Sequence, residues 1–201
     1  YERFTADDLA GKAENKRKLQ ERMGLPQRPE VPVIGMVTRL VAHKGVDLVK
    51  YVFEQLVSAD LQFVILGSGE CEYESFFQSM AGRYPDKVSI QVGFVPELAH
   101  KIYAGSDMFL MPSKSEPCGL SQMVALRYGS IPIVRETGGL CDTIKDSGDG
   151  DGNGFTFKSY NAGDMANAVW RAFAGYGDKD GWNILVRRAM RCDNSWGRSA
   201  N

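Results

Sequence analysis

Ser113-Lys114-Ser115-Glu116-Pro117-Cys118-Gly119-Leu120-Ser121-Gln122-Met123-Val124-Ala125-Leu126-Arg127-Tyr128-Gly129 is the stretch on which the reading of this chain turns. It follows a short apolar run, Met108-Phe109-Leu110-Met111, bounded by Asp107 and Pro112. Such a run reads as a strand of a parallel sheet, buried on both faces. Next comes a loop with one carboxylate, Glu116, then Pro117 and a turn of small residues. From Gly119 onward, Leu120, Met123 and Val124 fall at i, i+3 and i+4, the spacing of one helical face. The first N–H groups of that helix have no acceptor within it, and the helix dipole adds partial positive charge. An anion, a phosphate above all, suits that position. Glu116, on the rim, suits hydroxyls attached to the anion, so a phosphate carrying a sugar meets both demands. On spacing alone, a plain strand-loop-helix corner with a surface glutamate and a helix-starting proline reads equally well.

Outward from this corner the rhythm is regular. Strands are expected at 33–38, 61–66, 88–92, 107–111, 131–134 and 154–157. Between and after them, helices are expected at 45–57, from Gly67-Ser68-Gly69 through about residue 84, at 96–104, from residue 119, and at 140–145, 162–174 and 182–191. Short apolar strands alternating with helices predict an α/β fold with a single doubly wound parallel sheet. Right-handed crossovers then bring the strand-to-helix loops to one edge, where ligands bind in such folds. Before the first strand, a charged helix over about 7–23 is expected to carry Lys12, Lys16, Arg17 and Lys18 on a solvated face, with Gly24-Leu25-Pro26 ending it. The expected organisation is a linker helix and connector at 1–30, a Rossmann-like domain at 31–192 and a truncated tail at 193–201. A start without Met, in mid-helix, predicts a fragment of a larger protein.

Composition narrows the function classes. Hydrophobic residues make up 43% and charged residues 24% of the 201, ordinary for a globular domain. With 24 Lys plus Arg against 25 Asp plus Glu, the net charge of −1 argues against nucleic acid and a polybasic membrane surface as partners. No apolar run approaches the roughly 20 residues needed to span a bilayer. Cys71, Cys118, Cys141 and Cys192 lie far apart with no C-x-x-C pair, which suggests neither a zinc site nor a disulfide framework and fits a reducing cytoplasm.

Further candidates lie on the loops of the same edge. Thr38-Arg39-Leu40-Val41-Ala42-His43-Lys44-Gly45 follows the first strand and carries two cations able to reach one diphosphate, or simply two surface cations beside a helix start. Gly67-Ser68-Gly69 has two glycines that permit close backbone approach, but Glu72 stands where a dinucleotide fingerprint needs its third. Phe94, after the third strand, is either core or a stacking surface. Arg135-Glu136-Thr137-Gly138-Gly139-Leu140 opens another helix with glycines. Asp149-Gly150-Asp151 imitates a metal-binding D-x-D, and the same run imitates an EF-hand loop whose twelfth position would be Tyr160 rather than Glu. The reading there is a turn-rich loop without metal.

Ser-Glu-Pro-Cys-Gly-Leu-Ser-Gln at 115–122 and Leu-Arg-Tyr-Gly at 126–129 resemble the C-terminal, donor-binding half of bacterial glycogen synthases and plant starch synthases. So do the Arg-Leu and Lys-Gly of 39–45, the Thr-Gly-Gly-Leu of 137–140 and the Asp-Asn-Ser-Trp of 193–196. Many related retaining glycosyltransferases have a second glutamate eight positions after the first; Val124 stands there in this chain, which fits the glycogen and starch synthase branch. The resemblance implies the C-terminal half of a two-domain GT-B enzyme transferring glucose from ADP-glucose to the non-reducing end of an α-1,4-glucan, with retention. It implies catalytic roles for Glu116, Arg39 and Lys44. It implies donor contacts at Arg39, Lys44, Gly67, Gly69, Phe94, Glu116, Cys118, Gly119, Leu120, Ser121, Thr137 and Gly138. No metal or other cofactor is implied. The glucan acceptor would bind through a missing N-terminal domain, and the setting would be a bacterial cytoplasm or a plant plastid. The alternatives are a retaining GT-B relative using another nucleotide sugar, such as UDP-glucose or GDP-mannose, and a non-catalytic nucleotide-binding domain.

Overall fold

Six parallel strands lie side by side in the order β3-β2-β1-β4-β5-β6 in the computed structural model, which describes residues 3–114, 120–136, 144–147 and 152–199, with side chains as far as residue 192. The strands are β1 (Val33–Val37), β2 (Gln62–Gly67), β3 (Val88–Val92), β4 (Met108–Met111), β5 (Ile131–Arg135) and β6 (Phe155–Phe157). Every paired register is parallel. The strand order reverses between β1 and β4, and a crevice opens at such a switch point beyond the carboxyl ends of the strands. The loops that follow β1 and β4 flank it. They are the two loops on which the sequence places its cation pair and the helix start expected to suit an anion.

The helices are α1 (Ala10–Arg22), α2 (Val46–Val57), α3 (Cys71–Arg83), α4 (Pro96–Gly105), α5 (Leu120–Arg127), α6 (Ala162–Tyr176) and α7 (Lys179–Ser199), with a 3₁₀ turn at Ala42–Lys44. Contacts of α2 with α3 and α6 mark one face of the sheet; those of α1 with α4, and α5 with α7, mark the other. Phe53 anchors the first layer, its ring centroid 4.9 Å from Phe63 and 5.4 Å from Phe77. Tyr103 stacks on Phe109 at 4.7 Å in the second. Both faces of the sheet are therefore covered, which is why β2 and β4 read as continuous apolar runs.

Two expectations are corrected. The last helix runs from Lys179 to Ser199 rather than over 182–191; its earlier start is capped by the Asp178 side chain, which accepts from Gly181 N at 3.2 Å. Lys12 and Lys16 are buried, not solvated, at 8% and 5% exposure, whereas Arg17 on the same helix is exposed. Their amines are held by backbone acceptors. Lys12 Nζ donates to Ala104 O at 3.2 Å and to Tyr128 O at 2.8 Å, carbonyls at the C-terminal ends of α4 and α5. Lys16 Nζ donates to Val31 O at 2.5 Å and pairs with Asp107 at 2.8 Å. Helix C-termini leave carbonyls without intrahelical partners, and a cation satisfies both their hydrogen bonds and their dipole. The helix expected at 140–145 lies largely outside the described residues.

Candidate functional site

The loop after β1 is shaped by what it must pass. Gly45 closes the 3₁₀ turn at φ 82°, in the left-handed region, and a Cβ there would strike Pro112 O on the loop after β4. Only glycine meets both conditions. Lys114 N donates to His43 O at 2.9 Å, so the two loops are stitched together where the strand order reverses. Between them lies a cleft of about 260 Å³ lined by Thr38, Arg39, Lys44, Ser113 and Ser121 among others. Three sequence-predicted donor residues, Arg39, Lys44 and Ser121, therefore share one cleft. Arg39 is exposed and Lys44 half-buried.

Leu120 begins α5 and is 60% exposed. The helix starts at this edge, with Ser121 in the cleft, so the N–H groups of its first turn, which have no acceptor within the helix, stand on the same side as the two cations. Glu116, Cys118 and Gly119 lie outside the described residues, as do Thr137 and Gly138. The positions flanking them are described. Arg135, at the end of β5, donates from Nη1 to Lys114 O at 2.8 Å, which ties the approach to Thr137 to the approach to Glu116.

Gly67 and Gly69 are needed by the chain itself. A Cβ on Gly67 would strike Thr38 O, and one on Gly69 would strike Leu40 O. Leu40 N donates to Ser68 O at 2.9 Å and Glu70 N to Leu40 O at 3.0 Å, so the loops after β1 and β2 run in contact. Phe94 resolves the other way. It is 81% exposed on the loop after β3, so the core alternative is excluded. In sheet order the carboxyl edge thus presents an open aromatic ring, a pair of glycines, two cations and the start of α5. With strands spaced about 4.8 Å apart, Phe94 and the loop after β4 stand roughly 14 Å apart across the sheet.

Sequence reasoning did not single out the groups behind this edge. The Tyr160 hydroxyl lies 2.5 Å from Asp47 Oδ1 and 2.8 Å from Ala42 O. Its ring centroid is 5.6 Å from Lys114 Nζ and 5.6 Å from Arg135 Cζ. Burial first, and the Asp47 carboxylate second, push this phenol above its usual range. Nothing local in the sequence signals these contacts, because the hydroxyl's partners lie more than a hundred positions away and the ring's two cations lie on other loops and strands.

A wider cavity, about 600 Å³, opens at the opposite edge between α1 and the start of α7. Its buried charges are committed to one another and to backbone, as Lys16 and Asp107 are. Size alone does not make it the ligand site. Arg171 pairs with Asp146 at 2.8 Å, and Asp146 accepts from Thr156 N at 2.8 Å, so the entry to the Gly/Asp-rich loop is firmly tied. Asp149 and Asp151 lie outside the described residues. Among the described residues, no cluster of three or more His, Cys, Asp or Glu could hold a metal ion, and no helix is long and apolar enough to cross a membrane.

The chain is 55% identical over 199 residues to a glycogen synthase of Bacillus cereus, covering 98% of this chain and 42% of that protein. A glycogen synthase of Desulforamulus reducens is 53% identical over the same length. The chain thus spans less than half the length of the curated relatives it matches. Among solved structures, the catalytic domain of starch synthase IV from Arabidopsis thaliana, bound to ADP and acarbose, superposes with a TM-score of 0.91 at 41% identity, covering 98% of this chain and 42% of that one. The C-terminal domain of a glycosyl transferase group 1 protein from Francisella tularensis shares the fold at a TM-score of 0.69 and 16% identity. The family model described as glycosyl transferases group 1 matches residues 17–180, most of the chain, and with the switch-point architecture it decides membership. This chain belongs to the glycosyl transferase group 1 family and has the Rossmann-like fold of the C-terminal domain of a GT-B glycosyltransferase.

Proposed function

We propose that this chain is the donor-binding part of a retaining glucosyltransferase that transfers glucose from ADP-glucose to the non-reducing end of an α-1,4-glucan. The observation that carries this reading is the cleft at the strand-order reversal, where Arg39 and Lys44 face the start of α5. Two cations and a helix N-terminus suit a diphosphate. Phe94 supplies the base platform, and the roughly 14 Å between it and α5 suits a nucleoside diphosphate laid along the edge. Arg39, Lys44 and the N–H groups at Gly119 and Leu120 stabilise charge growing on the departing ADP, in place of a metal ion. Glu116 holds glucose hydroxyls, Thr137 and Gly138 supply backbone donors to the phosphates, and Cys118 is a further donor contact. The similarity to glycogen synthases and to a starch synthase solved with ADP and acarbose supports the donor and the glucan acceptor. The acceptor binds chiefly through the part of the relatives' length that this chain does not span, and the setting is a bacterial cytoplasm or a plant plastid.

Calorimetry with ADP and adenosine tests the reading. A charge-assisted contact contributes roughly 1.5–3 kcal/mol, so Arg39→Ala weakens ADP by about one to two decades and leaves adenosine, which has no phosphate, nearly unchanged. Equal loss of both ligands refutes the phosphate assignment. UDP or GDP binding more tightly than ADP refutes the donor, and loss of ADP binding on addition of EDTA refutes the metal-free assignment.

A further inference from the structure

We infer that Tyr160 is a positioning residue of the donor site, its hydroxyl fixing the Ala42–Lys44 turn so that Lys44 meets the donor's phosphates. The inference rests on assigning the 39–44 loop to a diphosphate, as above.

The turn is a weak element by itself. It spans three residues and has no side-chain cap at its start. Within the loop it has Lys44 N donating to Val41 O at 3.1 Å and Gly45 N donating to Ala42 O at 2.8 Å. A short 3₁₀ turn at the mouth of a cleft needs outside support to stay in one place. Two such supports are present. Lys114 N reaches His43 O, as described, and the Tyr160 hydroxyl reaches Ala42 O at 2.8 Å. That hydroxyl has one proton and two acceptors, since Asp47 Oδ1 stands 2.5 Å away. Asp47 lies in the first turn of α2, directly after the 3₁₀ turn. Shared between these acceptors as a three-centre bond, that proton lets Tyr160 link the turn to the helix it leads into, from the loop that follows β6.

The ring has a second duty. Lys114 and Arg135 both lie 5.6 Å from its centroid, within the range at which a cation is attracted to an aromatic face. Lys114 immediately precedes the segment with Glu116, and Arg135 ends β5 just before Glu136 and Thr137. One tyrosine thus contacts the loops after β1 and β4 and the end of β5. It does not itself line the 260 Å³ cleft. Its influence on a ligand must pass through the groups it holds, and an ammonium held near a phosphate contributes only when its place is kept.

Tyr160→Phe separates the two duties, because it keeps the ring and removes only the hydroxyl. Hydrogen exchange and calorimetry with ADP and adenosine are measured on this variant, on Arg39→Ala and on the unsubstituted chain. Expected are faster exchange at the amides of Lys44 and Gly45, an ADP dissociation constant raised about three- to tenfold, and an unchanged one for adenosine. Unchanged exchange at those amides overturns the inference. So does faster exchange with no selective loss of ADP; if Arg39→Ala still discriminates ADP from adenosine, the donor reading then survives alone. If neither variant discriminates, both fall together.

Discussion

Phe94 is left in water at a cost a folded chain ordinarily avoids. Burying such a side chain is worth roughly 1.5–3 kcal/mol, yet the ring is 81% exposed, on a loop whose Gly93 has a φ of 122°. A ligand face that covers the ring recovers that term, and base stacking on an aromatic contributes about 1–3 kcal/mol with little regard to which base. Phe94→Ala should therefore weaken ADP and adenosine alike by that amount, while Phe94→Tyr should be nearly silent. Calorimetry checks it, and a Phe94→Ala chain that keeps both affinities has no base platform there. The sequence could nominate Phe94 but not decide it, since a loop aromatic is core or platform according to neighbours far along the chain. Arg39 and Lys44 could be nominated from their spacing on one loop, a spacing that two surface cations share; the fold adds that both line one cleft. Tyr160 was not legible. Its partners Asp47 and Ala42 lie 113 and 118 positions away, and no local pattern encodes them.

Among the elements, the strands were legible because burial on both faces writes itself as apolar runs, and β3 falls on the expected residues. The helix α1 was placed correctly and its surface misread. Lysines and glutamates alternate along it in a way that suggests a solvated helix, but a lysine stem is apolar and its amine can be satisfied indoors. Lys16 Nζ does this with Asp107, Val31 O, Pro29 O at 3.0 Å and the Tyr176 hydroxyl at 2.7 Å. Asp107 in turn accepts from Val33 N at 2.9 Å, so the pair joins α1 to the starts of β1 and β4. Removing one member of a buried pair leaves the other charge uncompensated, at a cost of about 3–5 kcal/mol. Lys16→Met should lose that much in urea unfolding, and adding Asp107→Asn should restore part of it. A Lys16→Met chain as stable as the original would show that α1 is not fastened through this pair. The same change should leave ADP binding alone at temperatures where the chain stays folded, because the pair lies at the edge opposite the cleft.

On the scale of the whole molecule, the buried groups of opposite titration sense divide the pH axis between them. Burial is the main reason that the Lys12 amine is lowered from its ordinary 10.5 to about 8; Asp107 opposes the shift and Lys16 adds to it. Between about pH 8 and 10.5 the unfolded chain holds a proton that the folded chain has released. Stability must then rise with pH across that window, by up to about 3 kcal/mol in all. Below pH 8 the full cost of burying the charged amine is present. Tyr103, Tyr160 and Tyr176 act in the other direction, each pushed above the usual phenol range chiefly by burial. Above about pH 10 the unfolded chain loses phenol protons that the folded chain keeps, so stability must fall there. The two tendencies predict a maximum near pH 10, well above neutrality. Urea midpoints at unit steps from pH 7 to pH 11 trace the curve. Lys12→Met forgoes the bonds to Ala104 O and Tyr128 O, which lowers the whole curve, but it should also erase the rise between pH 8 and 10 while leaving the fall above it. A rise that persists in Lys12→Met, or a steady decline from pH 7 in the unsubstituted chain, would show that the Lys12 amine stays charged in the fold and that its two carbonyl acceptors outweigh its burial.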